Sequence, residues 1–352
     1  MCELYEIKNT GNKAAELIIP EFSQSFATPK NKGVDGTYII RADITGSGNY
    51  TLKPGESMSF GAIFQGYALD SQQPVFPDAA AEYAKRIDFI SRDIDSNLIL
   101  ETPDEVINTG FRYAKIRGAE SIFKTKGGYM HSPGGESYYA AVWANDQAEY
   151  INPFFPYLGY GTGNESALNS FRHWFKHMNP EYKYLPSSII AEGDDAFGVA
   201  GDRGDAAMIA YGALRYALAR ADKAEAQELW PLIEWCLEYC NRQLNEAGVV
   251  KSDSDELERR FPSGEANLCT SSLYYDALVS VGYLGKEIGL PTAQINKYKT
   301  QASVLRKAIC DYFEAEVSGY ETYRYYEGND VLRSWICMPL IVGINDRAEG
   351  TV

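Results

Sequence analysis

Residues 206–218, AAMIAYGALRYAL, are apolar nearly all round, with no polar stripe at helical spacing. A helix of that kind has to be enclosed by others. Residues 292–313, TAQINKYKTQASVLRKAICDYF, read differently: Ile295, Tyr298, Ala302, Leu305, Ile309 and Phe313 recur at spacings of three and four, while Lys297, Lys299, Arg306 and Lys307 take the other face. That pattern predicts a half-wetted helix. The pairing recurs along the chain. Amphipathic stretches begin near Thr102, Asn164, Ala224 and Thr292, a period of roughly 60 to 70 residues that marks stacked helical hairpins. A further apolar stretch, Val331 to Val342 (VLRSWICMPLIV), is expected to be another enclosed helix.

The loops entering the apolar members, about 119–145, 178–203, 248–270 and 315–330, far exceed the usual connection of about 4 to 6 residues. All of them fall at one end of the helices, which becomes the candidate active-site face. The expected fold is therefore mainly α: an α/α toroid with an inner and an outer ring, of the kind six such hairpins close. Four hairpins and a fraction are counted before Val352. Two more, on the order of 120 residues by that period, are expected beyond it. The alternative is a smaller, open array.

Ahead of the hairpins the chain reads as β. Met58, Phe60, Ala62 and Phe64 alternate with smaller or polar residues, and Pro54-Gly55 signals a turn between strands. Further strands are expected near Leu4 to Lys8, Ala15 to Ile19 and Tyr38 to Ile44. Together they suggest the remnant of an antiparallel β-sandwich, itself cut short, since Met1 falls directly before a strand-like run. Asp78 should cap a polar-faced helix, DAAAEYAKRIDFISRDI. The expected domains are a partial sandwich over 1–74, a linker helix over 75–101 and the toroid over 102–352.

The 352 residues, 45% of them hydrophobic, suffice for a large core, and the net charge of −15 repels phosphate backbones, so nucleic acid is not an expected partner. Such a field suits neutral or cationic ligands. The 26 tyrosines and five tryptophans offer stacking faces for sugars, and tyrosine also fills helix interfaces. No stretch reaches about 18 uninterrupted apolar residues, so no membrane span is expected. Cys236 and Cys240 share one helix face, and Cys2, Cys269, Cys310 and Cys337 show no CxxC spacing; all six are read as buried small hydrophobes. His173 and His177 lack the glutamate of a zinc-protease HxxxH, and with three histidines in all a nucleophilic triad has no footing.

The chemistry has to come from the long loops. In MHSPGGESYYAAVWANDQAEYINPFFPYLGYG (130–161), Trp143, Asn145, Asp146 and Glu149 stand where a loop enters an inner helix. Asp146 either caps that helix or, beside Trp143 and tyrosines Tyr138, Tyr139 and Tyr150, supplies a carboxylate to a stacking pocket. In the next loop, Asp194 and Asp195 precede Asp202, Arg203 and Asp205, an arginine among carboxylates that either fixes the loop or meets a ligand at its rim. The third loop, KSDSDELERRFPSGEANLCTSSLYYDAL (251–278), packs Asp253, Asp255, Glu256, Glu258 and Glu265 within 13 positions. Crowded acids raise one another's pKa, and glycoside hydrolysis needs one carboxyl group kept protonated. A solvated loop or a calcium site are the alternatives, although the EF-hand glycine is absent.

VWANDQAEY (142–150), GDRGDAAMIAYGA (201–213) and SDELERRFPSGEANLCTSSLYYDAL (254–278) together resemble the six-hairpin glycosidases, the toroid shared by glucoamylases, trehalases and α-L-rhamnosidases. The resemblance covers about Thr102 to Val352. It implies an exo-acting, inverting hydrolase of an oligosaccharide or polysaccharide, without cofactor or metal. Trp143 and Asp146 would grip the terminal sugar, and Tyr139, Asp195, Arg203, Asp205 and Glu265 would line the pocket. Glu256 or Glu258 would be the general acid, with the base expected beyond Val352. Asn145 stands where many relatives have arginine, and DELE is not the glucoamylase tryptophan-glutamate pair. The resemblance also implies a periplasmic or secreted protein for a chain truncated at its start. Other readings on the same scaffold are a non-catalytic glycan-binding protein and a sugar isomerase, epimerase or phosphorylase. An open toroid would expose an apolar wall, so a homo-oligomer is expected.

Overall fold

The computed structural model describes residues 1–32, 36–132, 141–190, 195–197 and 200–346. They fall into two compact units, Met1–Ser96 and Asn97–Val352.

The first unit is a small antiparallel sheet region. Strands β1 (Cys2–Lys8), β6 (Ser57–Ala68), β4 (Tyr38–Thr45) and β3 (Ser23–Ala27) form one sheet in that order, and β2 (Ala15–Ile19) pairs with β5 (Gly48–Leu52). The expected strands lie within β1, β2, β4 and β6, and the Pro54-Gly55 turn is built with Gly55 at φ 83°. β3 and β5 were not legible. Every residue of β3 is exposed, so it carries no apolar alternation, and β5 opens on a glycine. In β6 the covered face is the one bearing Gly61 and Ile63, whereas Phe64 is 40% exposed. Helix α1 (Ala79–Phe89) explains this, because a Cβ on Gly61 would sit 2.7 Å from the Ala79 methyl. Asp78 caps α1 by accepting from the Ala80 and Ala81 amides at 2.8 and 3.1 Å. The expected linker helix thus packs on β1 and β6 within the first unit.

The second unit is mainly helical. After α2 (Glu105–Glu120) come the hairpin β7 (Ile122–Thr125) and β8 (Gly128–His131), then β9 (Ala141–Trp143). A π-helical segment, Ala144–Ile151, runs directly into α3 (Asn152–Leu158). The remaining elements are α4 (Gly161–Phe175), β10 (Ser188–Ile190), β11 (Asp195–Phe197), α5 (Asp205–Arg220), α6 (Lys223–Arg242), α7 (Leu268–Ile288), α8 (Thr292–Phe313), the hairpin β12 (Glu314–Val317) and β13 (Tyr320–Tyr323), and α9 (Met338–Ile341). Strands β9, β10 and β11 make a three-stranded antiparallel sheet.

The apolar and amphipathic stretches fold as their patterns require. Helices α5 and α7 are buried along most of their length, while α4, α6 and α8 each bury one face against the helix before them. The inner members α3, α5 and α7 lie side by side. Helix α5 approaches the π-helical segment so closely that a Cβ on Gly212 would fall 1.5 Å from the Ala148 carbonyl oxygen. No side chain fits at that crossing.

The expected inner helix over 331–342 is not formed. Only Met338–Ile341 is helical, with Pro339 in its first turn, the place where a proline's missing N–H costs nothing. Residues before it run as turns, with Val331 and Leu332 about half exposed (55% and 47%). The cysteine reading also needs correction: all six are free, but only Cys236, Cys240 and Cys269 are buried, and Cys337 is exposed.

Candidate active site

The widened π-helical turn carries acid residues that follow the first long loop, Asp146 and Glu149. The residue before it, Trp143, is extended (φ −118°), and no side chain caps the turn, so Asp146 does not cap it. Instead Gln147 folds back to accept the Trp143 amide, while its amide nitrogen lies 3.0 Å from His131. This fixes the turn from within. Glu149, one residue before the half-exposed Tyr150, is thereby pushed into the interior, 4% exposed.

Glu149 faces Glu256 and Cys269. One ligand atom from each of the three lies within 4.8 Å of the others. Glu149 Oε2 is buried with no donor in reach, as happens when two carboxyl groups meet and the hydrogen between them is the only one to share. Burial first, then the facing Glu256, pushes the Glu149 carboxyl well above the usual carboxylate range; burial also raises Glu256. The pair holds a proton more tightly than a lone carboxyl would, because two negative charges this close repel each other. Tyr150 donates its hydroxyl toward both Glu256 oxygens at 3.3 and 3.5 Å, and the Cys269 thiol reaches Glu256 Oε1 at 3.7 Å. Burial keeps Cys269 a thiol and Tyr150 a phenol.

A second group surrounds Arg203, a fully buried guanidinium at 1% exposure. Gly204 precedes α5 in the left-handed region (φ 85°), and a Cβ there would strike Thr270 at 2.4 Å, so the turn that aims Arg203 inward depends on that glycine. Arg203 donates to Asp205 at 2.9 Å, Glu258 at 3.2 Å and Asn145 at 3.3 Å, and its guanidinium lies 5.6 Å from the centre of the Trp143 ring. Burial works against its charge, and Asp205 and Glu258 outweigh that penalty. Such a buried pair costs about 3–5 kcal/mol when one member is removed. Asp146 feels both Arg203 and Glu258: burial raises its pKa, and Arg203 opposes the rise.

The structure therefore gathers Trp143, Asp146, Arg203, Glu256 and Glu258 of the expected residues around one place. Asp205 is fully buried, with one oxygen on Arg203 and the other accepting from Ser187 and the Arg203 amide. It braces Arg203 rather than facing a ligand. Glu265 is exposed and lines a different groove, about 500 Å³, with Tyr182, Asp202, Tyr239 and Asp253. Tyr138, Tyr139 and Asp194, together with the side chain of Asp195, lie outside the described residues. Asp255 is buried and turned away, 3.5 Å from Arg333. His173 is buried, packed against Asn169 and the Gly127 carbonyl, and His131 against Phe155. Glu149 was noted in the sequence at the entry to an inner helix but was given no role there. It stands within the helical turn rather than in a loop, three residues after Asp146, and nothing in that spacing sets it apart as the acid that turns inward.

No protein-family model matches the chain, and no curated protein matches it. Among solved structures it is similar to a rhamnosidase from Klebsiella oxytoca with rhamnose bound, at TM-score 0.54 and 10% identity over 98% of this chain and 71% of that one. It is also similar to the GH78 family rhamnosidase of Bacillus sp. GL1, at TM-score 0.55 and 12% identity over 97% of this chain and 36% of that one. The chain shares with these two rhamnosidases a mainly helical fold with a small antiparallel sheet region. The likeness is one of fold, and the assignment of chemistry rests on the residues. Among the described residues, no helix is long and apolar enough to cross a membrane.

Proposed function

We propose that the protein is a glycoside hydrolase in which the Glu149–Glu256 pair supplies the proton to the leaving glycosidic oxygen. The observation that carries this reading is the carboxyl pair itself, buried Glu149 facing half-buried Glu256 beside a half-exposed tyrosine. Glu256, the more open of the two, donates to the glycosidic oxygen as the bond to the sugar's anomeric carbon breaks. The proton given up is the one the two carboxyl groups share, so both are left ionised. A water attacks the anomeric carbon from the opposite face, which gives inversion, and the proton it sheds leaves through solvent, from which the pair is recharged. Carboxyl groups this close leave no room for water between them, so they act together as the acid and not as an acid and a base. Trp143, with Arg203 behind it, and Asp146 hold the terminal sugar, and the cut is exo. The rhamnose in the Klebsiella structure makes 4-nitrophenyl α-L-rhamnoside the first substrate to try, followed by a panel of aryl glycosides.

Glu256→Gln should lose turnover by about 10²–10⁴-fold while sugar affinity stays within about threefold. Glu149→Gln removes the shared proton, so the alkaline limb of the rate profile should move to lower pH. Retained turnover in both variants would sink the reading, and the anomer of the first product, seen by NMR, decides inversion.

A further inference from the structure

The segment that failed to form an inner helix lies instead against the acid loop. Arg333 donates to the Pro262 carbonyl at 2.6 Å, approaches buried Asp255 at 3.5 Å, and sits over the rings of Tyr325 and Phe261 at 4.5 and 5.6 Å. Two residues on, the Trp335 ring stacks on Tyr325 at 6.0 Å and 30° between planes. Tyr325 is fully buried, so the surface that half-buried Trp335 still exposes is not the one covered by Tyr325. The indole N–H is within reach of the Tyr150 hydroxyl, which in turn donates to Glu256.

The backbone at Trp335 is left-handed, φ 66°, as it is at Glu258 and Arg259 in the facing loop (56° and 67°). A bulky residue held there costs on the order of 1–3 kcal/mol, and it persists only where its surroundings impose it. Glycine would hold the same turn without that cost. The local fold therefore has no need of an indole at this position, while the site beside it has a use for one.

We propose that Trp335 is the stacking wall for the sugar ring at the Glu149–Glu256 site, pinned there by Arg333. This rests on the hydrolase reading and adds a binding residue to it. The ring presents an apolar face to the C–H face of a pyranose, and its N–H holds Tyr150 in line with Glu256.

The test is calorimetric titration of the full chain with free monosaccharides, L-rhamnose first, which the enzyme cannot hydrolyse. Trp335→Gly removes the ring and relieves the backbone, so it should fold at least as stably as the parent; Trp335→Phe keeps a stacking face. Binding should weaken about tenfold in the glycine variant and by no more than about threefold in the phenylalanine variant, with thermal stability separating fold from ligand. Equal affinity in all three proteins would overturn the role of Trp335 and leave the hydrolase reading standing. Failure of the parent chain to bind any sugar of the panel would overturn both.

Discussion

Two buried groups near the site titrate in opposite senses. Asp202 accepts from the Tyr239 hydroxyl at 2.6 Å and the Gly204 amide at 2.9 Å, yet burial and nearby Asp205 raise its pKa to about 6. The folded protein then holds a proton that the unfolded chain has released, so this contribution to stability is lost as pH rises from about 4 to about 6. His131 behaves in the reverse way. Burial lowers it to about 4, so the unfolded chain takes up a proton first and stability is lost as pH falls from about 6.5 toward 4. Each is worth on the order of 3 kcal/mol over its window, and in the parent protein they largely cancel. Urea melts at pH 4.5 and 6.5 should show Asp202→Asn gaining stability with rising pH and His131→Gln losing it; slopes equal to that of the parent would contradict both assignments. Neither group was legible from the sequence, because a raised aspartate and a lowered histidine are products of enclosure and leave no mark in spacing.

At the scale of elements, the crossing of α5 with the π-helical turn sets the position of Glu149. Gly212→Ala places a methyl inside the Ala148 carbonyl and should cost about 3 kcal/mol or more, with loss of turnover out of proportion to loss of fold. Gly110→Ala, in exposed α2 with nothing within 4 Å of the added methyl, should gain about 0.5–1 kcal/mol. Thermal melts of the two variants give the comparison, and equal shifts would refute the argument. Helices with a long period-3.6 pattern or an unbroken apolar face were readable to within a few residues: expected starts near Thr102, Asn164, Ala224 and Thr292 became Glu105, Gly161, Lys223 and Thr292. The stretch 331–342 misled because its apolar residues are divided among different jobs. Met338 and Pro339 go to the core, Trp335 lies beside Tyr150, and Val331 and Leu332 face solvent. Composition alone cannot report such a division. The acid loop was legible as a cluster, but which of its five acids turned inward was decided by Arg203 and Arg333, distant in sequence.

For the whole molecule, the net charge of −15 sets what the site can attract. Association with a uronate or sulfated glycoside should be slow at low ionic strength and speed up as salt is added, whereas a neutral glycoside should show little change. A comparison of kcat/KM at 10 and 200 mM salt reads this directly, and equal salt responses for neutral and anionic substrates would count against it. The six thiols bear on the molecule in another way. None is paired, and they run from exposed Cys337 through half-covered Cys2 and Cys310 to the enclosed Cys236, Cys240 and Cys269. Alkylation would therefore proceed in stages, with the outermost sulfur marking mere collision and the inner ones waiting for the chain to open. Since the Cys269 sulfur rests against Glu256, the rate at which it takes up label would time the breathing of the carboxyl pair itself.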